Sequence, residues 1–216
     1  MAHPSPLIHL AQLRNRRMIG SLFANTSAAS VIMSVLAIGP PYLFGALGLG
    51  AAAVGLVVSV GPVIAALSGV PAGLLVDRFG PRRMIVMGLG CMTLGLVSLA
   101  LTSLHYGLAG YGAAMCVLTP SYQVVVAANN MSVMSGVEED QRGAISGVLT
   151  LSRSLALTTG ASMMGAIFVY SLGASDVATA SPGDIASGMR TAFLIAAVLT
   201  LFATLIAKAS HPARPK

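Results

Sequence analysis

Among the Asp, Glu, Lys, Arg and His side chains, only Arg153 sits deep within an apolar run, "GAISGVLTLSRSLALTTGASMMGAIF". If a helix starts near Gly143, the guanidinium lies about ten residues, or about 15 Å, along it. Placing arginine at such depth in a bilayer costs at least about 2.5–3.5 kcal/mol, so a functional role is the default expectation. The competing reading is a structural arginine, snorkelling or tied to carbonyls and amides such as Gln123. Two charge clusters lie outside the apolar runs. "GLLVDRFGPRR", Gly73 to Arg83, sets Asp77 beside Arg78, Arg82 and Arg83 in a glycine-containing turn. Charge-assisted hydrogen bonds there could latch two helical elements together. The plainer reading is a basic loop that holds orientation. "VEEDQR" supplies Glu138, Glu139, Asp140 and Arg142. It reads either as a partner for the first cluster or as a solvated helix N-terminus, where acids favour the helix dipole.

Other chemistry is missing from the apolar runs. No Asp, Glu or His falls within them, and His3, His9, His105 and His211 lie in the termini or a loop. Proton coupling needs an intramembrane group that titrates, so it would have to come from the loop acids or another polypeptide. A serine-type intramembrane protease would need a base beside its serine. Cys91 and Cys116 have no second ligand at metal or disulfide spacing. The expectation is therefore no enzyme, no cofactor and no metal.

The elements that position these residues follow from composition. Charged residues are 8% of the 216, against about 25% in soluble domains, and 56% are hydrophobic. Met18 to Val76 and Met84 to Val137 contain no Asp, Glu, Lys or Arg. One helical span needs about 20 apolar residues, so each stretch holds two spans and a turn. Apolar residues run continuously rather than alternating, which excludes a transmembrane barrel. The first apolar run is too long for the core of a cleaved signal. The spans fall at about 18–40, 52–76, 84–104, 108–132, 143–170 and 190–208. A basic N-terminus (1–17) precedes this six-helix domain (18–208), and a tail (209–216) follows. The stretch "SLGASDVATASPGDIASG" reads as a loop. Pro40 and Pro41 should end or bend the first helix, and Pro62 and Pro71 should bend the second.

Basic residues predict the orientation. With the N-terminus in the cytoplasm, six spans put Arg14, Arg16, Arg17, Arg78, Arg82, Arg83, Arg142, Lys208, Arg214 and Lys216 on that side. Only Arg190 falls opposite. The net charge of +6 then reflects topology and contact with lipid headgroups, not nucleic-acid binding.

Polarity differs between spans. The third and sixth are almost wholly apolar and could face lipid all round. The first carries Asn25, Thr26, Ser27, Ser30 and Ser34, and the fourth carries Tyr111, Thr119, Ser121, Tyr122, Gln123, Asn129 and Asn130. Buried amides need partners, so the first and fourth spans should face an interior or a water-filled cavity. This three-plus-three pattern suggests two inverted repeats of three helices. Gly69 with Gly73, and Gly143 with Gly147, have GxxxG spacing, which permits close helix packing.

Gly73, Asp77, Arg78, Gly80, Arg82 and Arg83 match the loop motif G-x-x-x-D-R/K-x-G-R/K-R/K-R/K of the major facilitator superfamily, with Pro81 at a usually basic position. "PLIHLAQLRNRRM" and "NNMSVMSGVEEDQRGAISGVLTLSRSLALTTGASMMGAIF" resemble the C-terminal six-helix half of a drug/proton antiporter of the fourteen-helix branch. Where that family's first half has a Gly-Pro pair in its fifth helix, this chain reads "GASMMG", consistent with a second-half identity. Members generally have twelve or fourteen spans, and six are found here.

The resemblance implies an all-α, half-transporter bundle in the cell membrane, multi-pass, with both termini cytoplasmic. It implies alternating-access transport of a small solute, with efflux of drugs or hydrophobic compounds as the family-derived expectation. Its partners would be the lipid bilayer, a small-molecule substrate and a second six-helix half, either another copy or a separate chain. It also implies that the loop's Asp and Arg residues form a cytoplasmic gate network, and the other charge cluster of that side, Glu138, Glu139, Asp140 and Arg142, is the candidate partner of Asp77, Arg82 and Arg83 there. Asn25, Ser30, Ser34, Tyr122, Gln123 and Asn130 are candidate path-lining residues. The rival expectation is a non-transporting truncated half or a membrane scaffold.

Overall fold

The computed structural model describes residues 16–101, 106–135, 137, 139–173 and 179–210, with only the backbone at 16–18 and 140. Six helices make up most of them: α1 (Arg16–Pro41), α2 (Ala51–Phe79), α3 (Pro81–Leu101), α4 (Gly107–Met134), α5 (Arg142–Ser171) and α6 (Pro182–Ser210). No strand occurs among the described residues. All six helices are long and apolar enough to cross a bilayer. In hydrocarbon a helix satisfies its own backbone groups, which is why such runs fold this way. The chain is an all-α polytopic membrane protein.

Several boundaries differ from the expectation. Pro40 and Pro41 lie in the last turn of α1, and the backbone continues as a π-helical turn, Tyr42–Ala46. The prolines loosen the hydrogen-bond ladder there without stopping the coil. α2 runs unbroken through Pro62 and Pro71. α6 begins at Pro182, within the stretch read as loop. Ser181 explains that start: its Oγ accepts the Asp184 N–H at 3.2 Å, and its own N–H donates to Asp184 Oδ2 at 3.2 Å. This is a capping box with proline at the first helical position.

α1 packs on α5, α6 and α4, while α3 packs on α4 and α6 and α2 lies mainly against α4. Exchanging α1, α2 and α3 for α4, α5 and α6 returns the same principal pairs: α1·α5 becomes α4·α2, and α1·α6 becomes α4·α3. Two hydrogen bonds mark the swapped pairs. Ser30 Oγ donates to the Ala156 carbonyl at 3.0 Å, and Gln123 Nε2 donates to the Ala65 carbonyl at 3.1 Å. At one end Gly20 meets Ser210, and at the other Gly39 meets Tyr111 and Gly45 meets Ile185. The first is the basic end of the bundle, where Arg78, Arg82, Arg83, Arg142 and Lys208 lie.

The core lies where α1, α3, α4 and α6 meet, with Ile38, Leu89, Met92, Leu118 and Phe193 fully buried. The polar side chains Asn25, Ser27, Ser30, Ser34, Thr119, Ser121 and Asn129 are buried as well, so α1 and α4 are interior helices. α3 and α6 do not face lipid all round. α3 buries Met84, Gly88, Met92, Gly95 and Leu99 along one face, and α6 buries Ile185, Met189, Ala192, Ala196, Ala203 and Ala207. A uniformly apolar helix cannot reveal its buried face by polarity, but small side chains admit a neighbouring backbone. A Cβ on Gly95 would come within 2.7 Å of Leu118 Cγ, and one on Gly88 within 3.2 Å of the Ser121 carbonyl.

The expected GxxxG pairs are not the sites of close approach. Nothing lies within 4 Å of the space a Cβ would fill at Gly73, Gly143 or Gly147, and Gly69 meets only Gln123 Nε2 at 3.7 Å. The reason is their place on α2 and α5, the two helices with the least buried surface. On α2, Leu67 is 73% and Val70 74% exposed, as suits apolar side chains facing lipid or another membrane helix. The tight contact of α5 is made by Gly160, whose Cβ would fall on the Ser30 backbone.

Candidate functional site

Two recesses lie side by side among α1, α2, α4 and α5. The first, about 330 Å³, is mostly apolar, with Met33, Leu36, Val58, Met115 and Leu157 in its walls. Gly61 and Pro62 also line it. Pro62 has no N–H for the Val58 carbonyl four residues back, so that wall carries an acceptor without its helical donor. Tyr111, Thr119, Tyr122 and Gln123 of α4 supply polar groups. A mostly apolar cavity of this size with a few convergent polar groups has the character of a small-molecule site.

The second recess, about 300 Å³, is polar and lies nearer the basic end. Asn25 of α1, Asn130 and Met134 of α4, and Ser146, Leu149, Thr150 and Arg153 of α5 line it. Arg153 is eleven positions beyond Arg142, the first residue of α5, about 16 Å along the helix at 1.5 Å per residue. Its Nε donates to Tyr122 Oη at 3.1 Å, and its Cζ lies 5.5 Å from the Tyr122 ring centroid. Guanidinium over a phenol ring adds a cation–π attraction to the hydrogen bond. The anchor is thus Tyr122 rather than Gln123, whose amide is spent on α2. Tyr122 lines the first recess and Arg153 the second, so their bond joins a wall of each.

The path-lining candidates separate into two groups. Tyr122 and Gln123 line the apolar recess, and Asn25 and Asn130 line the polar one. Ser30 and Ser34 line neither; the first bonds to α5 and the second donates to the Ser30 carbonyl at 2.7 Å. Asn129, beside Asn130, is fully buried, and among the described residues neither of its amide atoms has a hydrogen-bond partner. Met33, Met115 and Leu157 escape sequence reasoning, because an apolar cavity wall and an apolar core have the same composition.

At the basic end the loop motif forms the corner between α2 and α3. Gly73 lies on α2, and Gly80 alone joins the helices, with φ of 83° and its N–H donating to the Val76 carbonyl at 2.8 Å. Side chains rarely adopt that φ, which accounts for glycine at this place in the motif. Asp77, Arg78 and Arg83 are exposed, and Arg82 is half-buried. Arg78 stacks over the Phe79 ring at 5.4 Å. Among the described residues, Asp77 makes no ion pair. Of the other cluster, Glu139 and Arg142 are exposed, Asp140 is described by its backbone alone, and Glu138 lies outside the described residues. The histidines His3, His9, His105 and His211 also lie outside them.

None of the curated proteins searched matches the chain. The family model of the Major Facilitator Superfamily matches residues 22–216, a region that takes in all of α2 to α6 and most of α1. Six apolar helices, a D-R-x-G corner between the second and third, and a match of that extent place this chain in the Major Facilitator Superfamily, a family of membrane solute transporters.

Proposed function

We propose that this protein is the half-unit of an exporter for drug-like or hydrophobic compounds, moving them by alternating access in the cell membrane. The observation that carries this reading is the 330 Å³ apolar recess bounded by α1, α2, α4 and α5, with Tyr122 and Gln123 as its polar fixtures. Its apolar walls suit a compound with little charge over most of its surface. α2 and α5 flank the recess and have the least buried surface, which supports docking of a second six-helix half, another copy or a separate chain, across it. The two-repeat reading is supported by the matching helix pairs α1·α5 and α4·α2. Concentration of Arg78, Arg82, Arg83, Arg142 and Lys208 at one end favours cytoplasmic placement of that end and of both termini.

The gate reading belongs to the same proposal. Asp77 at the end of α2 is exposed and available to a partner in another conformation, with Arg82, Arg83, Glu138, Glu139, Asp140 and Arg142 as the charges of that end. The Asp77→Lys protein is expected to lose transport while inserting normally.

The test is reconstitution of the purified chain in proteoliposomes, with subunits counted by native mass in lipid and flux of a lipophilic dye measured. Dye movement by a homodimer would bear out the half-unit reading. A monomer without flux that regains it beside a second chain would identify a partnered half. A chain that binds another membrane protein and never moves solute would be a scaffold instead.

A further inference from the structure

We infer that the Tyr122–Arg153 pair is a head-group subsite, and that the solute accepted here is an amphipathic organic anion with a compact apolar body. This rests on the transport reading above and names the substrate class for the same recess.

The charge inventory of the bundle is one-sided. Asp77 ends α2, Asp184 lies in the first turn of α6, and Glu139 and Asp140 belong to the 3-10 turn before α5. Glu138 and Asp176 fall in sequence between helices. Arg153 therefore has no carboxylate at its own depth in any helix. A cationic amphiphile in the apolar recess would meet a like charge at the Tyr122–Arg153 pair and find no acid to balance its own. A neutral one would leave the guanidinium as it is. An anion supplies the missing opposite charge in a place where low polarity strengthens the attraction.

The hydrogen bonds point the same way. A guanidinium has five N–H donors. Arg153 uses Nε on Tyr122, and among the described residues its four remaining N–H groups have no partner. They belong to the polar recess, whose other polar walls are the neutral side chains of Asn25, Asn130, Ser146 and Thr150. Planar, paired donors match the two oxygens of a carboxylate or the oxygens of a phosphate. Tyr122 holds the fork by Nε and by its ring face, and on its other side it lines the apolar recess. An apolar recess and a set of free guanidinium donors thus lie beside one bonded pair, where one solute's body and anionic head can be met together. Snorkelling does not account for this arginine, because its head is held by an interior phenol rather than drawn toward the basic end.

The full chain in nanodiscs of zwitterionic phosphatidylcholine would be titrated at neutral pH with naphthoate, naphthamide and naphthylmethylammonium, which share one bicyclic body. Naphthoate is expected to bind at least about tenfold tighter than either other probe. Arg153→Gln is expected to bring the three within about twofold, and Arg153→Lys to keep the preference for the anion. Should Arg153→Gln fail to fold, the wild-type order still decides. Equal affinity for all three probes, or a preference for the ammonium, would overturn the anion subsite and leave the apolar recess as a solute site. No binding of any probe would overturn both the subsite and the transport reading of the recess. Loss of naphthoate binding when phosphatidylglycerol replaces part of the lipid would assign the guanidinium to lipid phosphate and overturn a solute role.

Discussion

Arg153 burdens the bundle with a solvation cost that leucine would not impose, so stability and activity should respond to it in opposite directions. Arg153→Leu is expected to raise the thermal midpoint in detergent and to cut transport at least about tenfold. A variant that is merely less stable, with transport intact, would mean that the guanidinium holds helices together. Asn129 gives a cleaner case, because its buried amide has no partner among the described residues. Asn129→Leu keeps the branched side-chain outline and removes both polar atoms, and it is expected to stabilise the chain by about 1–2 kcal/mol, read as a shift in thermal midpoint. At this scale the sequence was informative where polarity is rare. A single arginine in an apolar run announces itself, and so do Asn25, Tyr122 and Gln123. What could not be read was Arg153's choice of Tyr122 over the adjacent Gln123, since on a helix neighbouring residues point about 100° apart and only the pose of α4 against α5 decides.

Helix contacts depend on which glycines are covered. A Cβ at Gly160 would collide with the Ser30 backbone, which cannot swing aside as a side chain can, whereas Gly147 has open space. Gly160→Ala is expected to cost about 1–3 kcal/mol, and Gly147→Ala to be neutral or slightly stabilising, when both are measured in one thermal series. Gly80→Ala tests the corner between α2 and α3: its φ of 83° should make the substitution cost about 1–3 kcal/mol despite the free space around it. Ser181→Ala is expected to cost about 0.5–2 kcal/mol through loss of the α6 cap. The start of α6 was legible in principle, since S-P-G-D is a helix-start signature, but a hydropathy boundary ignores such signals and lands several residues late. The GxxxG spacing does not mark the close contacts within the chain, for a different reason. It describes what a surface allows, while Gly88 and Gly95, one heptad apart on α3, lie where α4 presses. Only the partner's position separates the two cases.

For the whole molecule, six apolar runs and a one-sided distribution of basic residues were enough to predict the class of fold, because a bilayer accepts few alternatives. The order of packing was not legible, since lipid-facing and helix-facing apolar residues share one composition. If the basic end is cytoplasmic, a cysteine placed at exposed Arg83 should react with a membrane-impermeant thiol reagent from inside the cell, and one at exposed Arg190 only from outside. The pairing of helices has a bearing on how the protein is made. α1 finds its main neighbour in α5, and the Ser30 to Ala156 bond spans 126 positions of chain; α2 in turn waits for α4. As the ribosome releases one helix after another into the bilayer, the early ones have lipid for company and must tolerate it until their distant neighbours emerge. Neither group of three can mature by itself, so nascent chains stalled before α5 should be short-lived in the cell, cleared by membrane proteases before they assemble.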